Sequence, residues 1–251
     1  MSEKKFFIDT EGNDDAAYVE ALKKASEISE QDPDIKRVVV LINTKANTGW
    51  FERILGTTGV KNLFKGTTIQ GLKPNYKFET KKTYKPGYSK SEIVIICGWD
   101  SEEVFPIDDY YSAKYIIAIP WTKGALEKWA KTWAASELRG NSLEPFPEPS
   151  CIVKKALEGL TSSVNMSTAL SHTSDVNLAK TYVMALKEYN EELDTDLINA
   201  YLVTNLGWGA DQSRQFTDLV EKANTGRPLS GGDKSSMDFH YKQWKDRCGN
   251  P

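Results

Sequence analysis

Four carboxylates crowd into seven residues near the start of the chain: Asp9, Glu11, Asp14 and Asp15, within Phe6-Phe7-Ile8-Asp9-Thr10-Glu11-Gly12-Asn13-Asp14-Asp15-Ala16-Ala17. Carboxylates at that density repel one another unless a cation, a shared proton or hydrogen bonds from a helix N-terminus offset the charge. A divalent cation held there would position a water, and a neighbouring carboxylate would accept the water's proton. In the simpler alternative Asp14 and Asp15 cap a helix, and Asp9 and Glu11 are solvated.

The elements around the acids define where they stand. Phe6 to Ile8 read as a short buried strand, Gly12 and Asn13 as a turn, and Ala17, Ala21, Leu22, Ala25 and Ile28 recur at helical spacing. The acids therefore occupy a strand-to-helix turn, which in an open α/β sheet lies at the carboxyl edge where ligands bind. Arg37 to Asn43 form a β-branched run one helix further on, so a βαβ reading makes the two strands parallel neighbours and brings Asn43 to the same edge as Asp9. A helix around Gly49 to Leu55 follows, ended by Gly56 and Gly59. Glu92 to Gly98 and Lys114 to Pro120 are two more apolar strands. Asp100 caps a helix from Ser101 to about Tyr111, interrupted by Pro106, and Thr122 opens another through Trp129 and Trp133 that ends before Gly140. This alternation predicts an α/β fold over residues 1–140, a mostly parallel, Rossmann-like sheet with helices on both faces. Pro145, Pro147 and Pro149 make a stiff connection to an all-helical C-terminal region over residues 150–251. Its helices are expected at Cys151 to Leu160, Leu178 to Leu193, Leu197 to Leu206, Gln212 to Ala223 and up to Lys245, with apolar faces that pack on each other or on the sheet.

Between Lys61 and Lys90 eight lysines are opposed by Glu79 alone and interleave with Tyr76, Phe78, Tyr84 and Tyr88. Such a stretch reads as a twisted hairpin or long loop whose edge is protected by lysines. It also has the composition to grip a phosphate or single-stranded nucleic acid by charge and stacking. The Gly231-Gly232 segment follows no strand and lacks the contiguous Gly-Lys-Ser/Thr that completes a P-loop, so it reads as an ordered tail or flexible loop. His172 and Asp175 fall between helices and read as surface or capping residues.

At 251 residues, 39% hydrophobic and 27% charged, the chain has the composition of a globular protein with a full core. A net charge of −3 argues against a dedicated nucleic-acid coat. Cys97, Cys151 and Cys248 have no metal-ligand spacing, and their odd number predicts reduced thiols without a disulfide framework. Three apolar residues before Asp9 are too few for a signal peptide or membrane span, so the expectation is a cytoplasmic protein with no membrane partner.

From Asp9 to Ala16 the sequence resembles the opening of the nucleoside hydrolase family, whose first strand runs into an Asp-Thr-Asp turn and an Asp-Asp-Ala helix start. The resemblance implies hydrolysis of an N-glycosidic bond in a small ribosyl or nucleotide ligand. It makes Asp9, Glu11 and Asp15 ligands of calcium, Glu11 or Asp15 the water activator, and Asp14 and Asn43 contacts to the ribose. The same turn together with Asp100-Ser101-Glu102 also resembles the Glu-Gly and Asp-x-Asp signature of Toprim nucleases, which implies magnesium held by Glu11, Asp100 and Glu102. The third reading is a non-catalytic α/β binding or interaction module.

Overall fold

The computed structural model of the chain describes residues 4–66, 75–167 and 169–249. It divides into two compact units, Met1–Pro145 and Phe146–Pro251. The first is an α/β unit and the second, among its described residues, is all helical.

Six strands, β1 (Lys5–Phe7), β2 (Arg37–Ile42), β3 (Asn75–Thr80), β4 (Glu92–Cys97), β5 (Ala113–Ile119) and β6 (Ser136–Glu137), form one parallel sheet in the order β3-β2-β4-β5-β1-β6. The helices are α1 (Asp15–Gln31), α2 (Gly49–Lys65), α3 (Ser101–Asp108) and α4 (Glu127–Trp133). The connections β1-to-β2 and β2-to-β3 run one way across the sheet, and β4-to-β5 and β5-to-β6 run the other. Right-handed crossovers then place their helices on opposite faces. One face packs Val38, Val40, Ile93, Ile95 and Ile117 against α1 and α2. Residues of opposite parity, such as Val39, Leu41, Val94 and Ile96, are buried too, and α3 packs on β5 while α4 packs on β1. Strands covered on both faces must be apolar throughout, which is why β2, β4 and β5 are continuous runs rather than alternating ones.

The expected pairing of β1 with β2 does not occur. β1 lies between β5 and β6, three strand spacings or about 14 Å from β2. The continuous apolar strands take the centre of the sheet and the three-residue β1 takes its margin. The 17-residue α1 is about 25 Å long, enough to cross β4 and β5, both of which it touches. Two further elements differ from expectation. α2 continues past Gly56, whose φ of 71° and ψ of 160° kink it without ending it. β3 is a parallel edge strand rather than a hairpin, with Tyr76 and Phe78 buried and Lys77 between them.

In the second unit, α5 (Cys151–Ser163), α6 (Thr173–Glu188), α7 (Thr195–Asn205), α8 (Ala210–Asn224) and α9 (Met237–Gly249) enclose a core that includes Leu157, Leu160, Val183, Leu186, Leu202, Phe216 and Trp244. Cys151 and Cys248 are disulfide-bonded, with Cα atoms 5.9 Å apart, which corrects the expectation of three reduced thiols. Packing of α5 on α9 brings the first turn of one beside the last turn of the other, although 97 positions separate the two cysteines in sequence. Cys97 remains free and buried. Among the described residues, no helix is long and apolar enough to cross a membrane.

Candidate binding site at the carboxyl edge

Because the strands are parallel, every loop that follows a strand emerges on one edge of the sheet. The acid turn follows β1 there. Asp14 is the N-cap of α1: its carboxylate accepts from Ala17 N at 3.1 Å and from the Thr10 hydroxyl at 2.8 Å. Arg139, just beyond β6, donates to the same carboxylate and through Nε to Glu20 at 2.7 Å. The Arg139 guanidinium is the main reason that the Asp14 carboxyl is held down at about 2. Asp15 receives a two-pronged contact from Arg53 on α2, at 2.8 and 2.6 Å, which lowers its pKa. Asp9 accepts from Gly124 N at 2.7 Å, and its own N–H donates to Glu137 at 3.1 Å. Glu11 is exposed.

The charge problem posed by the crowded acids is therefore solved by arginines and backbone N–H groups rather than by an ion. Among the described residues no group of three or more His, Cys, Asp or Glu side chains could hold a metal. That overturns the expected calcium site of Asp9, Glu11 and Asp15 and the magnesium alternative, and with them the metal-dependent N-ribosyl hydrolase and the nuclease. The nuclease residues are engaged differently: Asp100 caps α3 in a capping box with Glu103, and Glu102 pairs with Lys128 at 2.9 Å. Asn43, which closes β2, donates to Gly98 O at 3.5 Å and has β4 and β5 between it and the acid turn. Asp9, Glu11, Asp14 and Asp15 share one loop, and Asn43 belongs to another. Arg53, Glu137 and Arg139, which organise that loop, are distant in sequence and carry no motif.

A second group on this edge is aromatic. Tyr18 stands in the first turn of α1, Trp50 in the first turn of α2, Trp99 two residues after β4, and Trp121 two residues after β5. The Tyr18 and Trp50 rings stack, with centroids 5.4 Å apart and planes at 11°, and Trp50 lies 5.8 Å from Trp121. The acid turn is fixed to this group, since Gly12 N donates to Trp121 O at 2.8 Å. Trp121 is 45% exposed, whereas Tyr18, Trp50 and Trp99 are buried. Among the described residues, the Tyr18 hydroxyl and the indole N–H groups of Trp50 and Trp99 have no hydrogen-bond partner. Burial also pushes the Tyr18 hydroxyl pKa up, so it remains a donor. Buried donors are nearly always paired, so three orphans on one edge mark a place where acceptors are missing. The sequence signal for them is an aromatic residue just after a strand, as at Trp99, or in the first turn of the helix that follows one, as at Tyr18 and Trp50.

The basic stretch is more structural than its composition suggests. Lys77 pairs with Glu79 at 2.6 Å, and Lys81 and Lys90 lie over the rings of Trp99 and Tyr111. Tyr76, Phe78 and Tyr84 are buried, and Tyr88 is fully exposed. Lys73 lies outside the described residues.

Residues 149–245, most of the helical unit, are similar to a family described as a domain of unknown function, DUF1889. No curated protein and no solved structure matches the chain.

Proposed function

We propose that the sheet unit is a non-catalytic binding module for a nucleoside-class ligand, held at the carboxyl edge by stacking and by hydrogen bonds rather than by a metal. The observation that carries this reading is the half-exposed Trp121 beside buried Tyr18 and Trp50, whose polar hydrogens lack acceptors. A planar heterocycle stacked on Trp121 offers ring nitrogens and carbonyls of the kind those donors need. The likeness of the acid turn to that of nucleoside hydrolases supports the same ligand class. The non-catalytic reading is supported by three of the four acids: Asp14 and Asp15 are engaged by arginines and Asp9 by a backbone N–H, so none of the three stands ready to take a proton from water.

Isothermal titration of the full chain with adenosine, guanosine, cytidine and uridine, and with ribose as control, tests this. At least one nucleoside is expected to bind saturably, with no free base released on prolonged incubation. Trp121→Ala is expected to weaken that binding by about tenfold or more, the equivalent of one lost stacking contact. Failure of all four nucleosides to bind overturns the ligand class, and release of free base overturns the non-catalytic reading.

A further inference from the structure

The helical unit contains its own cleft of about 370 Å³, within the range of small-molecule sites. Its walls come from α6, from α8, from the segment between α8 and α9, and from the first residue of α9. That segment is not a loose tail. Asp233 N donates to the Thr181 hydroxyl at 2.8 Å, and Lys180 donates to Ser230 O at 2.7 Å, tying it along α6. Gly232 has a φ of 82°, and a Cβ there would stand 2.6 Å from the Met184 Cε and 3.3 Å from Thr181 N, so the segment's close approach requires glycine. The Gly231-Gly232 pair thus lets the segment lie close against α6.

The lining is divided by chemistry. Met184, Ala223, Leu229 and Met237 are apolar, and Lys187, Arg227 and Lys234 are cationic, against the single acid Glu188. Lys187 is held by Asn224 at 3.2 Å. Among the described residues, no hydrogen bond or ion pair engages the side chain of Arg227 or Lys234. Three cations against one carboxylate, beside a flexible thioether floor, are complementary to a molecule with an anionic head and an aliphatic body. We infer that this cleft binds a small amphipathic oxyanion, an aliphatic chain ending in a carboxylate or a phosphate monoester. The cleft is lined by residues of the helical unit alone, and the inference does not depend on the nucleoside proposal.

The test is titration calorimetry on the full, disulfide-bonded chain with octanoate, octyl phosphate, octanol and inorganic phosphate. Octanoate or octyl phosphate is expected to bind saturably, and the tighter of the two identifies the head group. Binding is expected to weaken with added salt and to fall by about tenfold in the double variant Arg227→Gln, Lys234→Gln. Because both residues are exposed, this variant is expected to keep the wild-type circular dichroism spectrum and melting temperature. Met184→Glu, which places a carboxylate in the apolar floor, is expected to abolish binding of both anions. Octanol binding as tightly as octanoate would refute recognition of the head, inorganic phosphate binding as tightly as octyl phosphate would refute use of the floor, and no binding of either amphipath would overturn the proposal.

Discussion

At the amino edge of the sheet, Glu92 is 2% exposed and accepts from Arg37 Nε at 2.9 Å, the Tyr84 hydroxyl at 2.7 Å and the Ser112 hydroxyl at 3.0 Å. On the same edge the Asp108 carboxylate takes Lys5 and the indole N–H groups of Trp129 and Trp133, at 2.8 and 2.9 Å. At the carboxyl edge the same residue types behave in the opposite way. There Asp14 and Asp15 are half-exposed and answered by arginines, and it is a tyrosine and two tryptophans that are buried without partners. The contrast separates two uses of polar groups. A fully satisfied buried network locks strand and helix ends in place, whereas unsatisfied donors are a standing cost that a ligand can remove.

The most severe way to break this contrast is Asp108→Ala. It would leave Lys5 and two indole N–H groups without their acceptor, and loss of one partner of a buried pair costs about 3–5 kcal/mol. Lys5 is 19% exposed and can turn toward water, so about 3 kcal/mol is expected. It would appear as a lower urea midpoint at unchanged slope. No comparable loss is expected from Glu11→Ala, because Glu11 is exposed at the other edge.

A smaller effect is expected from pH. Arg139 lowers the Asp14 pKa from 3.8 to about 2 in the folded protein. As pH falls the unfolded chain therefore takes up its proton first. The stabilisation is complete above about pH 4 and is lost progressively as pH falls through about 2. Arg139 is 30% exposed and Asp14 25%, so solvent screening limits the contribution to about 1 kcal/mol. Urea midpoints measured from pH 5 to pH 2 should therefore fall less steeply in Arg139→Ala than in the wild type. Equal slopes would mean that the arginine does not hold Asp14.

The sequence announces its fold where local pattern and tertiary environment agree. β2, β4 and β5 are continuous apolar runs because both of their faces are covered, and Asp14 and Asp100 cap α1 and α3 as their positions predict. β3 is less legible, since an edge strand that carries Lys77 between Tyr76 and Phe78 looks like a charged loop in one dimension. Strand order is not written locally at all: the length of α1 allows β1 to pair with β2 or to lie three strands away. The acid turn was legible as a turn but not in its chemistry, because the arginines that neutralise it come from α2 and from beyond β6. Four carboxylates in seven residues look like a metal site until residues 38 and 125 positions away supply the positive charge.

The smallest expected effect is the sharpest test of the contrast. Tyr84→Phe removes a hydroxyl that donates to the buried Glu92 carboxylate, and a hydrogen bond to a charged acceptor contributes about 1.5–3 kcal/mol. Tyr18→Phe removes a hydroxyl that is just as buried but has no partner. Ring packing against Trp50 and Phe51 is kept in the phenylalanine, so stability should change by no more than about 0.5 kcal/mol, with any change toward the more stable side. Urea unfolding of the two single variants and the double variant would measure both effects, which should add because Tyr18 and Tyr84 share no partner. If Tyr18→Phe proves as damaging as Tyr84→Phe, the Tyr18 hydroxyl is already satisfied in the free protein. The carboxyl edge would then lack the unmet donor that distinguishes it from the amino edge, and the nucleoside proposal would lose its physical basis.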